Sequence, residues 1–276
     1  MCRVLEVTRG GYYAWRRRAP SEREVNDREL LHQIREIHAT HRRVYGSPRM
    51  HAELRARGYR CGENRVARLM RQHAIRARQA RRFRATTQSK HNHPVAPNLL
   101  NREFKAERRN QRWAGDITYI WTREGWLYLA AILDLFSRKV VGWATGNRID
   151  RFLVMRALTM ALDGRNPQEN LLHHSDQGSQ YASRDYQREL DERGITCSMS
   201  RKGDCWDNAV LEAFFASLKK ELIYGTDFLT RRQATREIFW WIEGFYNTKR
   251  RHSFLGQVSP AEFESANGTE PMQTEA

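Results

Sequence analysis

Two apolar segments decide the fold: Trp113-Ala-Gly-Asp-Ile-Thr-Tyr-Ile-Trp121 and Trp126-Leu-Tyr-Leu-Ala-Ala-Ile-Leu-Asp-Leu135, separated by the turn Arg123-Glu-Gly125. The first segment alternates apolar and polar side chains, and the second is apolar without a break from Trp126 to Leu133, which is typical of a buried strand. A third strand is predicted over residues 139–145. Because tight turns separate these neighbours, the three strands are expected to pair as an antiparallel meander.

The pattern then changes to helices that alternate with short strands. Helices are predicted over 151–162 and 183–193, and each precedes a further strand, at 170–174 and 196–199. Strands joined through helical crossovers lie parallel, so we expect the order 3-2-1-4-5 in a mixed five-stranded α/β sheet with helices on its faces. Two more helices follow, over 209–224 and 230–246. Aromatic and aliphatic side chains of the second are expected to pack on the core: Phe239, Trp240, Trp241, Ile242 and Phe245.

Residues before the sheet are helical in pattern. Thr8 and Ser21 can cap helices, and Ser47 is predicted to cap another in which Pro48 is the first helical residue. A last helix is predicted from about residue 63 to Ala74. The final two helices, joined by a short turn, have the helix-turn-helix pattern, in which the second helix can enter a DNA major groove.

The charge is concentrated in this helical half. The 276 residues carry a formal net charge of +16. Residues 1–112 hold 28 Lys and Arg against 10 Asp and Glu, a net charge of +18, whereas residues 113–276 have a net charge of −2. Such a distribution indicates that the first half binds a polyanion. Five arginines are predicted to face outward and bind DNA, with an ordinary solvated helical bundle as the alternative: Arg65, Arg68, Arg71, Arg76 and Arg78.

The composition suggests five segments. We expect a short basic and aromatic helical segment at 1–23, a helix-turn-helix-like DNA-binding region at 24–85 and a linker at 86–105. A catalytic core at 106–264 and a disordered tail at 265–276 complete the chain. No apolar run is long enough to span a membrane, and the N-terminus lacks the apolar region of a signal peptide, so a soluble cytoplasmic protein is predicted.

The four cysteines form no C-x-x-C pair, and neither a disulfide framework nor a zinc knuckle is predicted. Histidine pairs at 38/41 and 91/93 have spacings that can ligate a metal. Without a paired cysteine motif, they are interpreted as surface or core histidines.

Three acids occupy positions that the predicted topology brings together. Asp116 lies in the first strand, Asp176 follows the fourth, and Glu212 lies in the helix that begins near 209. Carboxylates around one cleft suit Mg²⁺, and two such ions support in-line phosphoryl displacement. The sequence therefore predicts phosphodiester chemistry, although each acid alone is more simply explained as a cap or surface charge.

Three other charged residues bear on this site. Lys219 lies two helical turns after Glu212 and can hold a substrate phosphate near the metals. Asp207 fits an N-cap of the same helix. If Asp116 pairs near Ile132, Asp134 falls on the same face of the sheet, although a structural role is favoured for it.

With these motifs, the sequence resembles the second-frame protein of the DDE transposases of the insertion-sequence-three family and, more distantly, the retroviral integrases. The resemblance covers nearly the whole chain and includes Gly-Asp-Ile-Thr-Tyr-Ile, His-Ser-Asp-Gln-Gly-Ser-Gln-Tyr and Asp-Asn-Ala-Val-Leu-Glu-Ala-Phe-Phe. The 35 residues between Asp176 and Glu212 match the family's D-D-35-E spacing, and Lys219 matches its downstream lysine. The retroviral His-His-Cys-Cys zinc pattern is missing, so no zinc is predicted.

The resemblance implies a ribonuclease-H-like core in which Asp116, Asp176 and Glu212 bind two Mg²⁺ ions, with Mn²⁺ as a substitute. It implies cleavage of one strand at an element end and transfer of the freed 3′-OH to another phosphodiester. Implied partners are the double-stranded DNA of element ends and target, a first-frame partner protein or its frameshift fusion, and further copies of the chain on DNA. The implied location is the bacterial cytoplasm, in association with the nucleoid.

Two other functions are compatible with the residues. One is a catalytically inactive DNA-binding protein that pairs ends or represses transcription, and the other is a ribonuclease-H-like nuclease acting on hybrids. The intact acidic triad argues against the first, and the Arg-rich helical half against the second. Near the C-terminus, the run Arg250-Arg-His252 suits either a DNA contact or a solvated turn.

Overall fold

The computed structural model describes residues 4, 6–78, 94–167, 170–201 and 205–267, apart from the side chains of 205 and 206. The chain forms two compact units that divide after Arg78. Part of the predicted linker, at 86–93, most of the predicted tail, at 268–276, and the histidine pair 91/93 lie outside the described residues. No helix in the described ranges is long and apolar enough to cross a membrane.

The first unit is helical. Helix α1 spans Arg9–Arg17, α2 Glu22–Thr40, α3 Ser47–Ala56 and α4 Glu63–Gln72. The hydroxyls of Thr8 and Ser21 accept the predicted capping hydrogen bonds. The cap predicted at Ser47 is wrong: Ser47 is itself helical, and Gly46 is the N-cap, without a side-chain hydrogen bond. Apolar side chains of α2, α3 and α4 form the core of this unit: Leu30, Ile34, Ile37, Met50, Leu54, Val66, Leu69 and Met70.

The second unit contains the predicted sheet. Strands β1 (Arg112–Thr122), β2 (Gly125–Asp134) and β3 (Val140–Gly146) are antiparallel. Strand β4 (Leu172–Ser175) pairs parallel with β1, and β5 (Thr196–Met199) pairs parallel with β4. The order β3-β2-β1-β4-β5 confirms the prediction. Neighbours β1 and β4 carry the segments of Asp116 and Asp176, so this topology determines where the two acids lie.

Helices cover the sheet. Helix α5 spans Arg151–Arg165, α6 Arg184–Glu192, α7 Ala209–Leu218, α8 Arg231–Trp241 and α9 Pro260–Asn267. Helix α5 packs closely on β3: a Cβ added at Gly142 would lie 2.2 Å from the Ala157 carbonyl oxygen. Because glycine has no Cβ, it permits this approach.

Two helices differ from their predicted form in their last turns. The predicted helix to residue 224 is α-helical only to Leu218 and continues as a π-helix, Lys219–Ile223. Likewise α8 is followed by the π-helix Ile242–Tyr246. The predicted aromatic packing of this helix is partly wrong, because Phe239 and Trp240 are 42% and 59% exposed while Trp241, Ile242 and Phe245 are buried.

Candidate active site and DNA-contacting residues

The three predicted acids come from three different elements. Asp116 lies in the middle of β1, Asp176 immediately follows β4, and Glu212 lies in the first turn of α7, which contacts β1. Parallel pairing of β1 with β4 brings the first two elements side by side. Asp116 and Asp176 are half-buried, and Glu212 is exposed. The structure therefore brings a shielded pair of aspartates and a solvent-facing glutamate to one region.

Electrostatic interaction joins the acids. Burial raises the pKa of Asp116 well above its ordinary value, and the charges of Asp176 and, to a smaller extent, Glu212 raise it further. The backbone N–H of Ile117, which donates to Asp116 Oδ1 at 2.7 Å, opposes this rise. Burial also raises the pKa of Glu212. A carboxyl group whose pKa is raised by neighbouring carboxylates favours a nearby cation, because the cation lowers the cost of ionising the groups together.

A tight turn holds Asp176. Its Oδ1 accepts a hydrogen bond from the Gly178 backbone N–H at 2.9 Å. A Cβ at Gly178 would lie 2.6 Å from Gln180 Oε1 and 2.9 Å from Asp176 Oδ1, so glycine keeps this turn compact. Beneath it, burial raises the pKa of Tyr181 well above its ordinary value, and both aspartates contribute to the rise. Tyr181 thus stays neutral beside the acids.

Lys219 lies at the junction between α7 and its π-helical extension. Its side chain is largely buried, and Nζ lies 5.1 Å from the centre of the Tyr119 ring. Burial lowers the pKa of Lys219, while the charge of Asp116 opposes that effect. Lys219 therefore interacts electrostatically with Asp116. Its predicted role beside a substrate phosphate stays a prediction.

Within the described ranges, no group of three or more His, Cys, Asp or Glu side chains is arranged to hold a metal ion, and this includes Asp116, Asp176 and Glu212. The histidines at 38 and 41 make structural contacts: His38 Nε2 lies 3.1 Å from the Arg76 carbonyl oxygen, and His41 Nδ1 lies 3.0 Å from that of Ile37. Both agree with the prediction of surface or core histidines.

Comparison with known proteins identifies the family. The HTH-like domain model matches residues 24–83, and two models of an integrase core domain match 106–205 and 193–260. A protein of 31 kDa from insertion element IS600 of Shigella sonnei is 46% identical over 95% of this chain and 97% of its own length. Transposase InsF of insertion sequence IS3A from Escherichia coli K12 is 44% identical over 97% of this chain and 93% of its own length. The chain belongs to the IS3 family of transposases.

Solved structures give weaker likenesses. The simian T-cell lymphotropic virus intasome bound to a PP2A regulatory subunit has a TM-score of 0.49 at 16% identity, covering 88% of this chain and 76% of that chain. The magnesium-bound catalytic core of HTLV-2 integrase has a TM-score of 0.44 at 16% identity, covering 56% of this chain and 97% of that chain. The family assignment rests on the sequence relatives, and the matched domain models agree with the predicted combination of an integrase core and a helix-turn-helix-like region.

The β1–β2 register of the transposase corrects the position of Asp134. Asp116 pairs with Ala131, one residue away from Ile132, and Asp134 pairs with Trp113. A shift of one residue moves a side chain to the other face of a strand, so Asp134 faces away from Asp116. Asp134 is fully buried and accepts hydrogen bonds from the backbone N–H groups of Asn110 and Phe136. These contacts agree with the structural role that was favoured.

The predicted cap at Asp207 is wrong. Asn208 is the N-cap of α7 and makes no side-chain capping hydrogen bond. Asp207 is instead fully buried in the 3₁₀ turn Cys205–Asn208, where its carboxylate accepts hydrogen bonds from Asn98, Arg102 and Arg201.

The arginines predicted to contact DNA fall into two groups. Arg65 and Arg68 on α4 bind Asp27 on α2, at 2.6 and 2.7 Å, so they join two helices of the transposase. Burial raises the pKa of Asp27, but hydrogen bonds from both arginines outweigh that effect and the net shift is downward. The remaining predicted arginines are exposed: Arg71, Arg76 and Arg78.

The basic run near the C-terminus is internal. Arg250 is 5% exposed and binds Glu221 of the π-helix, with Nη2 2.7 Å from Oε1. Arg251 donates to the Gln257 carbonyl oxygen at 2.7 Å, and the buried His252 forms a β-bridge with Val258. Both predicted alternatives, a DNA contact and a solvated turn, are therefore wrong for Arg250 and His252.

Three contacts of this site were missed from the sequence. The Asp207 hydrogen bonds and the Arg250–Glu221 pair join residues far apart along the chain, and no local pattern distinguishes such acids from surface charges. Tyr119, under the Lys219 ammonium, lies three residues after Asp116 in the alternating strand. The strand pattern predicted the position of Tyr119 near the site but did not predict its contact with Lys219.

Proposed function

We propose that Asp116, Asp176 and Glu212 hold two divalent metal ions, Mg²⁺ or Mn²⁺, at which the transposase cuts and joins DNA. The observation that supports this proposal is the effect of the Asp176 and Glu212 charges, from the end of β4 and from α7, on the pKa of Asp116 in β1. All three side chains offer carboxylate oxygens, so the donor set fits a divalent cation better than an apolar or anionic ligand.

The proposed reaction has two steps. Water attacks phosphorus at an element end, and the 3′ oxygen leaves as a hydroxyl. That 3′-OH then attacks a second phosphodiester, forms a new bond to phosphorus, and releases the 3′ oxygen of the attacked strand. When bound, divalent ions supply positive charge that favours an oxygen nucleophile and stabilises the departing oxygen.

The chain's own residues position the reactants. Asp116 and Asp176 are fixed through Oδ1 by the backbone N–H groups of Ile117 and Gly178, so each carboxylate is held in one orientation. Lys219 places its ammonium group beside Asp116, where it can bind a phosphate oxygen. Tyr181, kept neutral by burial, adds no charge to the site.

The proposed DNA interface of the first unit includes Arg71, Arg76 and Arg78, which are exposed on and after α4. Arg65 and Arg68 are proposed to support it by holding α4 against α2 through Asp27. The HTH-like domain match supports this assignment. We further propose that the transposase works as a homo-oligomer on element ends, with a first-frame partner protein or as its frameshift fusion, on the nucleoid in the cytoplasm.

The test is strand cleavage and joining on labelled DNA that carries the ends of the encoding element, alone and with the first-frame protein. Asp116→Asn, Asp176→Asn and Glu212→Gln are each expected to lower the joining rate by about 100-fold or more, because each removes charge stabilisation specific to the reaction. EDTA should abolish the wild-type reaction. Asp163→Asn, at an exposed acid of α5, is the matched control and should keep the wild-type rate.

DNA affinity of each variant should remain near the wild-type value, since the acids are not proposed to bind the backbone. Joining by all three variants at the wild-type rate would exclude this site. A wild-type chain that binds its ends but joins none, with or without the partner, would instead favour the inactive end-pairing function.

A further inference from the structure

Asp207 is the most heavily hydrogen-bonded carboxylate near the catalytic helix. It is fully buried, and it accepts from Asn98 Nδ2 at 2.8 Å, Arg102 Nε at 2.9 Å and the Arg201 backbone N–H at 2.9 Å. The Arg201 guanidinium adds Nε at 3.0 Å and Nη2 at 2.8 Å. Hydrogen bonds from Arg201 hold the pKa of Asp207 well below its ordinary range, so the carboxylate is charged at neutral pH.

The segments that provide these donors are also connected to the sheet, by the chain or by hydrogen bonds. Arg201 follows β5, and Asn98 and Arg102 flank a stretch whose backbone N–H groups at Leu99 and Leu100 donate to Ser198 Oγ. The same hydroxyl lies 2.9 Å from His174 Nδ1 on β4, two residues before Asp176. Asp207 is therefore connected through hydrogen bonds to the edge of the sheet that leads to Asp176.

The first turn of α7 lacks a side-chain capping hydrogen bond. Its N-cap, Asn208, makes no side-chain hydrogen bond to the first turn, and Glu212 lies only one turn inside the helix. Charge-assisted hydrogen bonds to a buried carboxylate are short and directional, and can orient an attached element. Asp207 is the residue immediately before this N-cap.

We propose that Asp207 is a positioning residue that fixes the start of α7 and thereby the placement of Glu212 relative to Asp116 and Asp176. This inference rests on the proposed function of the acidic triad. Mutation of a residue that orients a metal-binding side chain typically lowers metal affinity or activity by about 10- to 100-fold.

The principal test is Asp207→Asn in the full chain. We expect the joining rate at saturating DNA to fall by about 10- to 100-fold and the Mg²⁺ concentration for half-maximal rate to rise by a similar factor. DNA affinity, measured by fluorescence anisotropy, should stay within about twofold of wild type. Hydrogen exchange of the amides at 209–215 should accelerate selectively, which is a readout independent of activity.

A merely structural role gives a different result. It would lower the melting temperature but leave the half-saturating Mg²⁺ concentration of the folded protein unchanged, and that outcome would overturn the proposal. Arg102→Gln and Arg201→Gln provide variants that should fold even if Asp207→Asn does not, because these side chains are 45% and 51% exposed. Each should raise the Mg²⁺ requirement less than Asp207→Asn, and Arg201→Lys should recover part of the loss.

Two further results separate this proposal from the function on which it rests. If Glu212→Gln is inactive while Asp207→Asn and both arginine variants match wild type, the positioning role is wrong and the proposed function stands. If Glu212→Gln is fully active, the proposed function is wrong. In that case, unchanged exchange at 209–215 in Asp207→Asn would overturn the positioning role as well.

Discussion

The Arg250–Glu221 pair provides a quantitative prediction about the element that carries Lys219. The side chains are 5% and 7% exposed, Arg250 Nε lies 3.0 Å from both Glu221 oxygens, and Arg250 Nη2 also donates to Ser217 Oγ at 3.0 Å. Arg250→Met would remove the guanidinium group from the buried Glu221 carboxylate. Breaking such a pair typically costs about 3–5 kcal/mol, whereas replacing both members by apolar groups is often neutral.

We therefore expect Arg250→Met to lower the unfolding free energy by about 3–5 kcal/mol and Glu221→Leu/Arg250→Met to restore most of it. Urea denaturation followed by tryptophan fluorescence measures this, because every tryptophan except Trp15 lies in the second unit. The reasoning is refuted if Arg250→Met costs less than about 1 kcal/mol, or if the double variant loses the sum of both single effects. The internal role of Arg250 would also be refuted if Arg250→Met reduced the salt dependence of DNA binding by about one ion, because that change indicates the loss of a phosphate contact.

Further substitutions test the packing of α5, the ionisation of Asp134 and the roles of the α4 arginines. Gly142→Ala should lower the stability of the second unit by about 1–3 kcal/mol in urea denaturation, because its Cβ would overlap the backbone of α5; no loss would contradict the close packing. Burial raises the pKa of Asp134 to about 6 from 3.8, so the contribution of Asp134 to the unfolding free energy should fall by about 2 kcal/mol as pH rises from 4 to 6. Asp134→Asn should flatten that slope, and an unchanged slope would disprove the assignment. Arg71→Gln should weaken DNA binding and lower its salt dependence by about one ion, with little change in melting temperature. Arg65→Gln should instead destabilise the first unit, as seen in its melting temperature, by breaking the bond to Asp27; the reverse pattern would contradict this division.

The sequence predicted the sheet because its signals are local. Alternation in β1, the apolar run of β2 and short turns specify an antiparallel meander, and helical crossovers specify the parallel strands, so the order β3-β2-β1-β4-β5 followed. Family resemblance and topology together selected Asp116, Asp176 and Glu212, which the structure brings into one electrostatic group. Their metal-binding role stays a prediction.

Register and partner choice were not predictable in the same way. A one-residue difference in β1–β2 pairing moved Asp134 to the opposite face, and hydrophobic periodicity does not resolve register that finely. The partner of an arginine is equally unpredictable from local sequence. An arginine in a basic run can bind DNA or a buried glutamate, and Arg250 binds Glu221, 29 residues away along the chain. Arg65 and Arg68 differ from Arg71 because Asp27 lies on the adjoining helix.

Anomalous diffraction from crystals soaked in Mn²⁺ would show whether Asp116, Asp176 and Glu212 form one cation site. We expect anomalous density bounded by Asp116, Asp176 and Glu212 in the wild-type protein, and its loss in Asp116→Asn. Mn²⁺ bound elsewhere at saturating concentration, with no density among these three carboxylates, would contradict this expectation.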